Sequence, residues 1–487
     1  MSEKRATIRA RFVTEMGNVN IPLVVGFALC QVWLSLCFFA PQLFPQNASV
    51  KVYEISLIVS AASLLPAFVR PKRFEALLEN GRAILGTALC ASAGTLMIPF
   101  SSGDSMTDML LQLCAGALTG LASGWLFVAW YQAFCKAGDL IGFVLGSFAN
   151  SLFMYLFTTV AYLPDVSPWI MVFVACAAPI ASAVLLVRRP VCSSFASEVK
   201  LPARHTKEYR SLVVLCCSIF FVSFVDEFMR NFYLEGSDLQ FYSGSLNLVL
   251  VVVKTVSIIM LVAIIASHGH QMSLAYRFSL LLVMTAVLSM PYVQHWPYFM
   301  YGITNFGAFL FKTMISILAF NFCRSYRIAP VLVFSLTRIV FSLDLLLGFI
   351  SFKAYQVAAF GTSDLLGLLS VAMGLLVVTI YSFVFTDRYG ASLFVTIDAF
   401  DHAQDAFTEK CDRLIRVGKL SKREADVLRL IAKGRSTPRI QEELHVSMNT
   451  VNSHTSHIYQ KLGIHSRQEL LDLLESTAPE NCEGDPL

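Results

Sequence analysis

The sequence predicts an all-α protein, in which a polytopic membrane bundle of twelve helices precedes a small, soluble, four-helix domain. Three observations support this prediction. Hydrophobic residues make up 56% of the 487 residues and charged residues only 14%, whereas soluble proteins average roughly 25% charged residues. Residues 21–385 contain repeated apolar runs of the length that spans a bilayer, about 20 residues. Residues 420–475 instead show amphipathic helical periodicity between polar caps.

Twelve apolar runs define the predicted membrane domain, which follows a short cytoplasmic segment at 1–20. The longest polar break, the central loop 188–210, separates two halves of six helices, 21–187 and 211–385. The first run lacks a small-residue cleavage site, so we expect it to be retained as a helix. The predicted spans lie at 21–40, 52–69, 83–99, 109–133, 140–162, 168–187, 211–234, 246–266, 273–293, 298–322, 329–350 and 364–385.

Loop charges predict the orientation of the bundle, because lysine and arginine accumulate in cytoplasmic loops. With the N-terminus in the cytoplasm, the outer loops contain only Lys51 and Lys353. Twelve spans then return the C-terminus to the cytoplasm, as expected for a multi-pass protein of the inner membrane. Gly116, Gly120 and Gly124 recur at every fourth position of the fourth span, which predicts close helix packing inside the bundle.

Six plus six helices around a basic central loop resemble the major facilitator transporters, over residues 21–385. The resemblance implies a transporter-like bundle with a central cavity. In that family the loop after the second helix usually contains a signature with glycine, aspartate and arginine. Here this loop reads Arg70-Pro71-Lys72-Arg73-Phe74-Glu75 and lacks the signature, which argues against active transport.

Ionisable side chains inside a bilayer are costly and usually mark a site. They are concentrated in spans seven, eight, ten and eleven, which face the cavity in the fold that the chain resembles. The predicted ligand-binding residues are Asp226, Glu227, Arg230, Lys254, Lys312, Arg338 and Asp344. One interpretation is a cavity that accepts an anionic small molecule near Lys254, Lys312 and Arg338. The other is a set of ion pairs that only fixes helix packing.

Helix rise gives the approximate depth of these charges. At about 1.5 Å per residue, Asp226 and Lys254 both lie about 12 Å from the outer boundary, so they are candidates for an ion pair. Lys312 and Arg338 lie at similar depths from the inner side. Both are cationic, so the sequence predicts an anion, a carboxylate or water between them.

Residues 386–419 form a more polar linker. An apolar spacing of three and four residues predicts a short amphipathic helix, and packing against the neighbouring domain is favoured over a dimer seam. The positions that show this spacing are Phe400, Ala403, Phe407, Leu414 and Val417.

Polar caps divide residues 420–475 into four helices, and a tail follows at 476–487. Ser421 with Glu424 has the spacing of a capping box, and so has Ser466 with Glu469. The predicted first residues are Ser421, Ser436, Ser447 and Ser466, and the predicted end glycines are Gly434 and Gly463.

The second and third of these helices have the helix-turn-helix arrangement, whose second helix enters the major groove of double-stranded DNA. Asparagine and serine side chains can bind base edges, and cations can bind phosphates. Periodicity alone fits generic four-helix packing equally well. The predicted DNA-binding residues are Asn449, Thr450, Asn452, Ser453, His454, Ser456, His457 and Lys461.

Specific residues from Leu420 to Leu474 resemble the LuxR-type helix-turn-helix domain. The resemblance implies sequence-specific DNA binding, usually by a homodimer on a two-fold site, with base contacts from Asn452, Ser453 and Ser456. Two of these positions are commonly basic in the family, so affinity is expected to be modest. The matching residues are Leu420-Ser421-Lys422-Arg423-Glu424, Val427-Leu428, Ile431-Ala432-Lys433-Gly434, Ser436, Ile440, Leu444, Ser447, Thr450-Val451, His454, Ile458, Lys461-Leu462-Gly463 and Ser466-Arg467.

The sequence therefore predicts a bacterial one-component transcription regulator, embedded in the membrane, that senses a small molecule or a membrane signal. Its expected partners are double-stranded DNA, membrane lipid and an anionic small molecule. The alternative is a secondary transporter of an anionic solute with a DNA-binding regulatory tail, and a third reading is a scaffold whose tail binds partners. We expect no catalytic residues, no cofactor and no metal site, since the cysteines and histidines lack the spacing of such sites.

Overall fold

The structure is a computed structural model, and contacts divide the chain into two units, Met1–Ile397 and Asp398–Leu487. The described residues are 19–39, 46–101, 103, 105–161, 167–188, 202, 206–236, 251–261, 272–292, 297–358, 364–386, 410–432, 435, 437–444 and 446–476.

The first unit contains fourteen described helices, because its long apolar runs satisfy their backbone hydrogen bonds internally. In chain order they are α1 (Ile21–Phe39), α2 (Gln46–Ser63), α3 (Pro66–Val69), α4 (Pro71–Glu79), α5 (Gly81–Met97), α6 (Met106–Ala137), α7 (Leu140–Ala161), α8 (Pro168–Val187), α9 (Lys207–Gly236), α10 (Val251–Leu261), α11 (Met272–Leu288), α12 (Pro297–Ser325), α13 (Pro330–Ala358) and α14 (Asp364–Thr386). Single 3₁₀ turns follow α5 and α11 at Ile98–Phe100 and Met290–Tyr292.

Apolar helical segments occur at all twelve predicted spans. Within the described ranges, nine helices are long and apolar enough to cross a membrane, and three shorter ones lie at Val251–Leu261, Arg277–Leu288 and Gly367–Ile380. The predicted all-α fold class is therefore confirmed.

Helix α6 is the longest of the first half and packs closely on α2. Ser105 caps its first turn, and its last turn ends at the left-handed Gly138. The glycines predicted to allow close packing face α2. A Cβ on Gly120 would lie 2.6 Å from the backbone oxygen of Ser56, and one on Gly116 would lie 2.6 Å from Ile55. The prediction of packing within the bundle is confirmed, because only the absence of side chains allows this approach.

The two halves share one hydrophobic core, and α13 lies at their junction. It packs on α9 of its own half and on α2 and α6 of the other. A Cβ on Gly348 of α13 would lie 2.9 Å from the Phe224 backbone oxygen of α9. On the opposite side, Phe334 of α13 stacks on Tyr131 of α6, with centroids 5.0 Å apart. Helices α6 and α13 therefore bring the two halves into direct contact.

Three segments with predicted cytoplasmic positions meet at one end of the bundle. The backbone N–H of Asn20, just before α1, donates to Asp139 Oδ2 at 3.0 Å in the turn between α6 and α7. Lys136, at the end of α6, pairs with Glu75 of α4 at 2.9 Å. The segment before the first span and the connections after the second and fourth spans thus lie together, as alternating spans require.

In its described part, the second unit contains five helices around its own core. They are a segment at 410–417 (α15), Lys422–Ala432 (α16), Thr437–Leu444 (α17), Met448–Leu462 (α18) and Arg467–Ser476 (α19). The core comprises Cys411, Leu414, Val427, Leu428, Ile431, Ile440, Val451, Ile458, Ile464, Leu470 and Leu474.

Helix α15 contributes part of the predicted linker helix to this core. Cys411 and Leu414 are buried in it, whereas Val417 is 73% exposed. The other predicted apolar positions, Phe400, Ala403 and Phe407, lie outside the described residues. Packing on the neighbouring helices, the favoured expectation, is therefore observed for Leu414.

Helix caps confirm most of the predicted boundaries in this unit. The N–H of Ser421 donates to Glu424 Oε2 at 2.7 Å and the N–H of Glu424 donates to Ser421 Oγ at 3.4 Å, which is the predicted capping box. Ser447 Oγ accepts from the N–H of Thr450 at 3.1 Å. Gly463 ends α18 with φ of +69°, a conformation that glycine adopts without strain.

The last cap differs in one bond from its prediction. The N–H of Glu469 donates to Ser466 Oγ at 3.1 Å, as expected, but the Glu469 carboxylate accepts from the N–H of His465 at 2.8 Å. The carboxylate therefore caps one residue earlier than the capping-box spacing implies. The predicted boundary residues Gly434 and Ser436 lie outside the described residues.

Candidate DNA interface and membrane cavity

Helix α18 packs one face into the core of the domain, where Val451 and Ile458 are completely buried. Its opposite face is polar. The exposed predicted DNA-binding residues are Asn449, Asn452, Ser453, Ser456, His457 and Lys461, and the half-buried ones are Thr450 and His454. The side chains at the three expected base-contacting positions are therefore accessible and uncharged. An amide and two hydroxyls can bind base edges but cannot neutralise phosphates.

Lys461 has a partner inside the domain. Its Nζ donates to Glu424 Oε2 at 2.6 Å, and His457 Nδ1 lies 3.9 Å from Glu424 Oε1. Sequence reasoning identified Glu424 as a cap of α16 but missed this second contact, which joins α16 to the last turn of α18. The Lys461 ammonium thus holds the helix in place, which leaves it less available for phosphate than the sequence suggested.

These contacts lower the pKa of the Glu424 carboxyl from 4.5 to about 2, foremost through the hydrogen bond from Lys461 and next through the N–H of Ser421. A carboxylate whose pKa is lowered by folding stabilises the native state at pH values above the pKa that it has in the unfolded chain. That contribution is lost as the pH falls from about 4.5 towards 2.

We expect Glu424→Gln to increase amide hydrogen exchange in α16 and α18 at pH 7, equivalent to about 1 kcal/mol of local stability. The difference from wild type should disappear as the pH falls through the window below 4.5. Hydrogen exchange of the full-length protein at matched pH measures this. Asp412→Asn is the matched control, because its ion pair with Arg429 is 44–45% exposed and should matter little. Unchanged exchange of the Glu424→Gln variant at neutral pH would contradict the prediction.

The first unit contains a cavity of about 410 Å³ between its two halves. Helices α1, α2, α6 and α7 line it from the first half and α9, α10, α12 and α13 from the second, the four spans in which the sequence concentrates its charges. Five of the seven predicted ligand-binding residues line the cavity, namely Glu227, Arg230, Lys254, Lys312 and Arg338. The structure does not bring Asp226 and Asp344 to its wall.

The ion pairing differs from the expectation based on depth. Asp226 Oδ2 accepts from Lys312 Nζ at 2.5 Å, so the inferred pair of Asp226 with Lys254 is wrong. Helix rise gives the depth of a residue but not the direction in which its helix is rotated, and α9 packs against α12. In the same helix, Glu227 pairs with Arg230 and accepts a further bond from Asn231 Nδ2 at 3.1 Å.

Two cations of the cavity contact aromatic rings instead of carboxylates. Lys254 Nζ lies 5.6 Å from the centroid of Phe309, and Arg338 Cζ lies 4.5 Å from that of Phe127. Arg338 Nε is buried without a hydrogen-bond acceptor among the described residues. Asp344 is fully buried, and neither of its carboxylate oxygens has a hydrogen-bond partner in the described part of the chain.

The first half contributes neutral residues that sequence reasoning missed. Only charged residues stood out within the apolar runs of the sequence, whereas this wall of the cavity consists mainly of aromatic rings, amides and hydroxyls. A polar residue inside an apolar run, such as Gln31 or Asn150, was the available signal. The missed lining residues include Gln31, Tyr53, Phe127, Tyr131, Phe143, Ser147 and Asn150.

Solved structures to which this chain is weakly similar in fold include two transporters. The human organic anion transporter MFSD10 (TETRAN) is 15% identical, with a TM-score of 0.46, over 74% of this chain and 99% of that chain. A bacterial homologue of the iron transporter ferroportin, in an outward-facing state, is 12% identical, with a TM-score of 0.48, over 80% of this chain and 99% of that chain.

The second unit matches a family of DNA-binding proteins. Residues 418–474 match the model of bacterial regulatory proteins of the luxR family. The oxygen regulatory protein NreC of Staphylococcus aureus, in strains JH9 and USA300, is 51% identical over 53 residues, which are 11% of this chain. The chain spans only 24% of the length of NreC. Residues 418–474 are therefore a LuxR-type helix-turn-helix domain, and the same chain carries a bundle of membrane-length apolar helices.

Proposed function

We propose that this protein is a one-component transcription regulator of the bacterial inner membrane, which binds operator DNA in response to a small anionic molecule. One observation carries the proposal: a single chain joins a LuxR-type domain at 418–474 to an apolar helical bundle with a charged cavity. A LuxR-type domain and a helical bundle favour a regulator over an enzyme. The lipid bilayer holds the bundle, and the cavity between the halves receives the ligand.

The proposed topology places both termini in the cytoplasm, where operator DNA is found. It is supported by the concentration of lysine and arginine in alternate loops. It is also supported by the meeting of the segment before α1, helix α4 and the turn after α6 at one end of the bundle.

The proposed operator contact uses the exposed face of α18. Asn452, Ser453 and Ser456 bind base edges, while Asn449 and Thr450 at the start of the helix approach the backbone. His454, His457 and Lys461 line the flank of this surface. Two copies of the domain bind the two halves of a pseudo-two-fold site, which is the usual geometry of helix-turn-helix dimers. Because the central positions carry no cation, affinity should depend only weakly on salt.

Genome-wide occupancy of the full-length protein in cells tests this function. We expect discrete sites with two-fold symmetry, and an Asn452→Ala, Ser453→Ala variant should lose most of them, since each lost base contact costs about 1–3 kcal/mol. Occupancy should also change when Arg338→Gln alters the cavity. Asp412→Asn, on α15, is the control and should retain the sites. Uniform occupancy across the genome, unchanged by the Asn452 and Ser453 substitutions, would refute operator binding.

A second function, secondary transport of an anionic solute with regulation through the DNA-binding tail, is favoured by one observation. The cavity is lined by both halves of the bundle, as an alternating-access pathway requires. Accumulation of an anion in liposomes that contain the protein would establish transport. Operator binding that responds to the anion without any uptake would establish the regulator.

A further inference from the structure

Two cations of the cavity form no salt bridge with an acidic side chain of the described residues. Lys254 and Arg338 form no ion pair there, whereas the other two cations of the lining are each paired with a carboxylate. Cation–π contacts of the kind that Lys254 and Arg338 make offset only part of the cost of withdrawing a charge from water. Two positive charges that face the cavity therefore remain undercompensated.

Aromatic contacts connect three cations of the second half in the order Lys254, Lys312 and Arg338, and we call this series the cation row. Lys312 Nζ and Arg338 Cζ lie 5.3 and 5.4 Å from the centroid of the same ring, Phe341. On α12, Lys312 lies one turn from Phe309, the ring that contacts Lys254. The central cation of the row is paired with a carboxylate, and the two outer ones form no salt bridge among the described residues. A molecule lying along this row therefore meets a positive charge at each end.

The wall beside the row is aromatic and uncharged. Tyr131 stacks on Phe334, with ring centroids 5.0 Å apart and an interplanar angle of 23°. The ring centroids of Tyr131 and Phe143 are 5.4 Å apart. Rings that pack on such walls are stabilised by more than their buried area alone provides. The cavity volume of about 410 Å³ lies towards the small end of the range of about 300–1,000 Å³ that is usual for small-molecule sites. This volume and this wall suit one aromatic ring with small substituents.

Building on the proposed function, we infer that the ligand is a one-ring aromatic acid with two negative charges. One acidic group binds Arg338, whose guanidinium can hold a carboxylate through two parallel hydrogen bonds. The second acidic group binds Lys254, and the ring packs against Tyr131 and Phe334. Asp344 lies outside the lining of the cavity, and its carboxylate oxygens form no hydrogen bond with Arg338 among the described residues.

Binding of probe compounds to the purified full-length protein in detergent tests the inference by calorimetry. Phthalate, isophthalate and terephthalate differ only in the distance between their carboxylates. We expect one of them to bind at least roughly tenfold more tightly than benzoate, because a second charged hydrogen bond adds about 1.5–3 kcal/mol. Terephthalamide, which has the same shape without charge, should not bind, and cyclohexanedicarboxylate should bind more weakly than the best aromatic probe.

Variants then locate the two acidic groups. Arg338→Gln and Lys254→Gln should each reduce the affinity of the best dicarboxylate to about that of benzoate. Arg277→Gln, at an exposed position outside the lining, should leave it unchanged. The probe series on the wild-type protein needs no variant, so a variant that fails to fold does not prevent the test.

Equal or tighter binding of benzoate, binding of the diamide, or no binding of any dicarboxylate would overturn the inference. Operator binding by the same preparation is measured separately. If operator sites are bound but no aromatic dianion is, only the inference about the ligand fails. If no operator is bound, the proposed regulator fails, whatever the probes do.

Discussion

Replacing Gly120 with leucine will separate α2 from α6, and the full-length protein will lose its folded bundle at temperatures that leave the wild type intact. A Cβ at this position would lie 2.6 Å from the backbone oxygen of Ser56 and 2.9 Å from its Cα. Backbone atoms cannot rotate away, so the helices must move apart. Overpacking usually costs about 1–3 kcal/mol, and leucine adds further atoms beyond the Cβ, so we expect a loss at the upper end of this range.

Gly86→Leu is the matched control for this substitution. Gly86 is also in a membrane helix, α5, but its position is exposed and a Cβ there meets no atom within 4 Å in the described structure. Gel filtration after heating in detergent gives the midpoint temperature of each variant. Gly120→Ala should lie between Gly120→Leu and the wild type. A Gly120→Leu protein as heat-resistant as Gly86→Leu would show that α2 and α6 do not approach closely.

The elements that sequence reasoning predicted best follow from local chemistry. The capping box of Ser421 and Glu424 and the left-handed end at Gly463 depend on residues that are close in the chain. The apolar runs likewise predict membrane helices, because each helix forms its backbone hydrogen bonds within itself. The glycine spacing in α6 predicted close packing, since three missing side chains on one face allow a neighbouring helix to approach.

The candidate site was predicted less well, because it depends on how helices are rotated about their axes. Charge within an apolar run identified five lining residues, but it could not tell that Asp226 faces Lys312 rather than the cavity. The aromatic rings of the wall from the first half, such as Tyr131, leave no distinctive pattern in an apolar run, unlike the polar Gln31 and Asn150. The contact between Lys461 and Glu424 was missed for a similar reason, since the two side chains meet only when α16 and α18 pack together.

The pair of Asp226 and Lys312 gives the second large effect. The Asp226 side chain is 12% exposed and that of Lys312 35%, so removal of either charge leaves the other without a partner in a largely buried position. Breaking a buried pair costs about 3–5 kcal/mol, and the partial exposure of Lys312 to the cavity reduces this to about 2–3 kcal/mol for Asp226→Asn. Lys312→Gln should cost more, because the carboxylate that it leaves behind is the more buried of the two.

A double-mutant cycle separates the pair from its surroundings. Asp226→Asn with Lys312→Gln should recover most of the midpoint temperature lost by either single variant, since no unpaired charge then remains. Additive losses would show that the two side chains do not interact. Asp226→Asn with Lys254→Gln is the matched control, because Lys254 is the partner that depth alone suggested. Coupling in this second pair should be weaker than in the first, because Lys254 and Asp226 attract each other without a salt bridge, and an equally strong coupling there would instead support the arrangement inferred from helix rise.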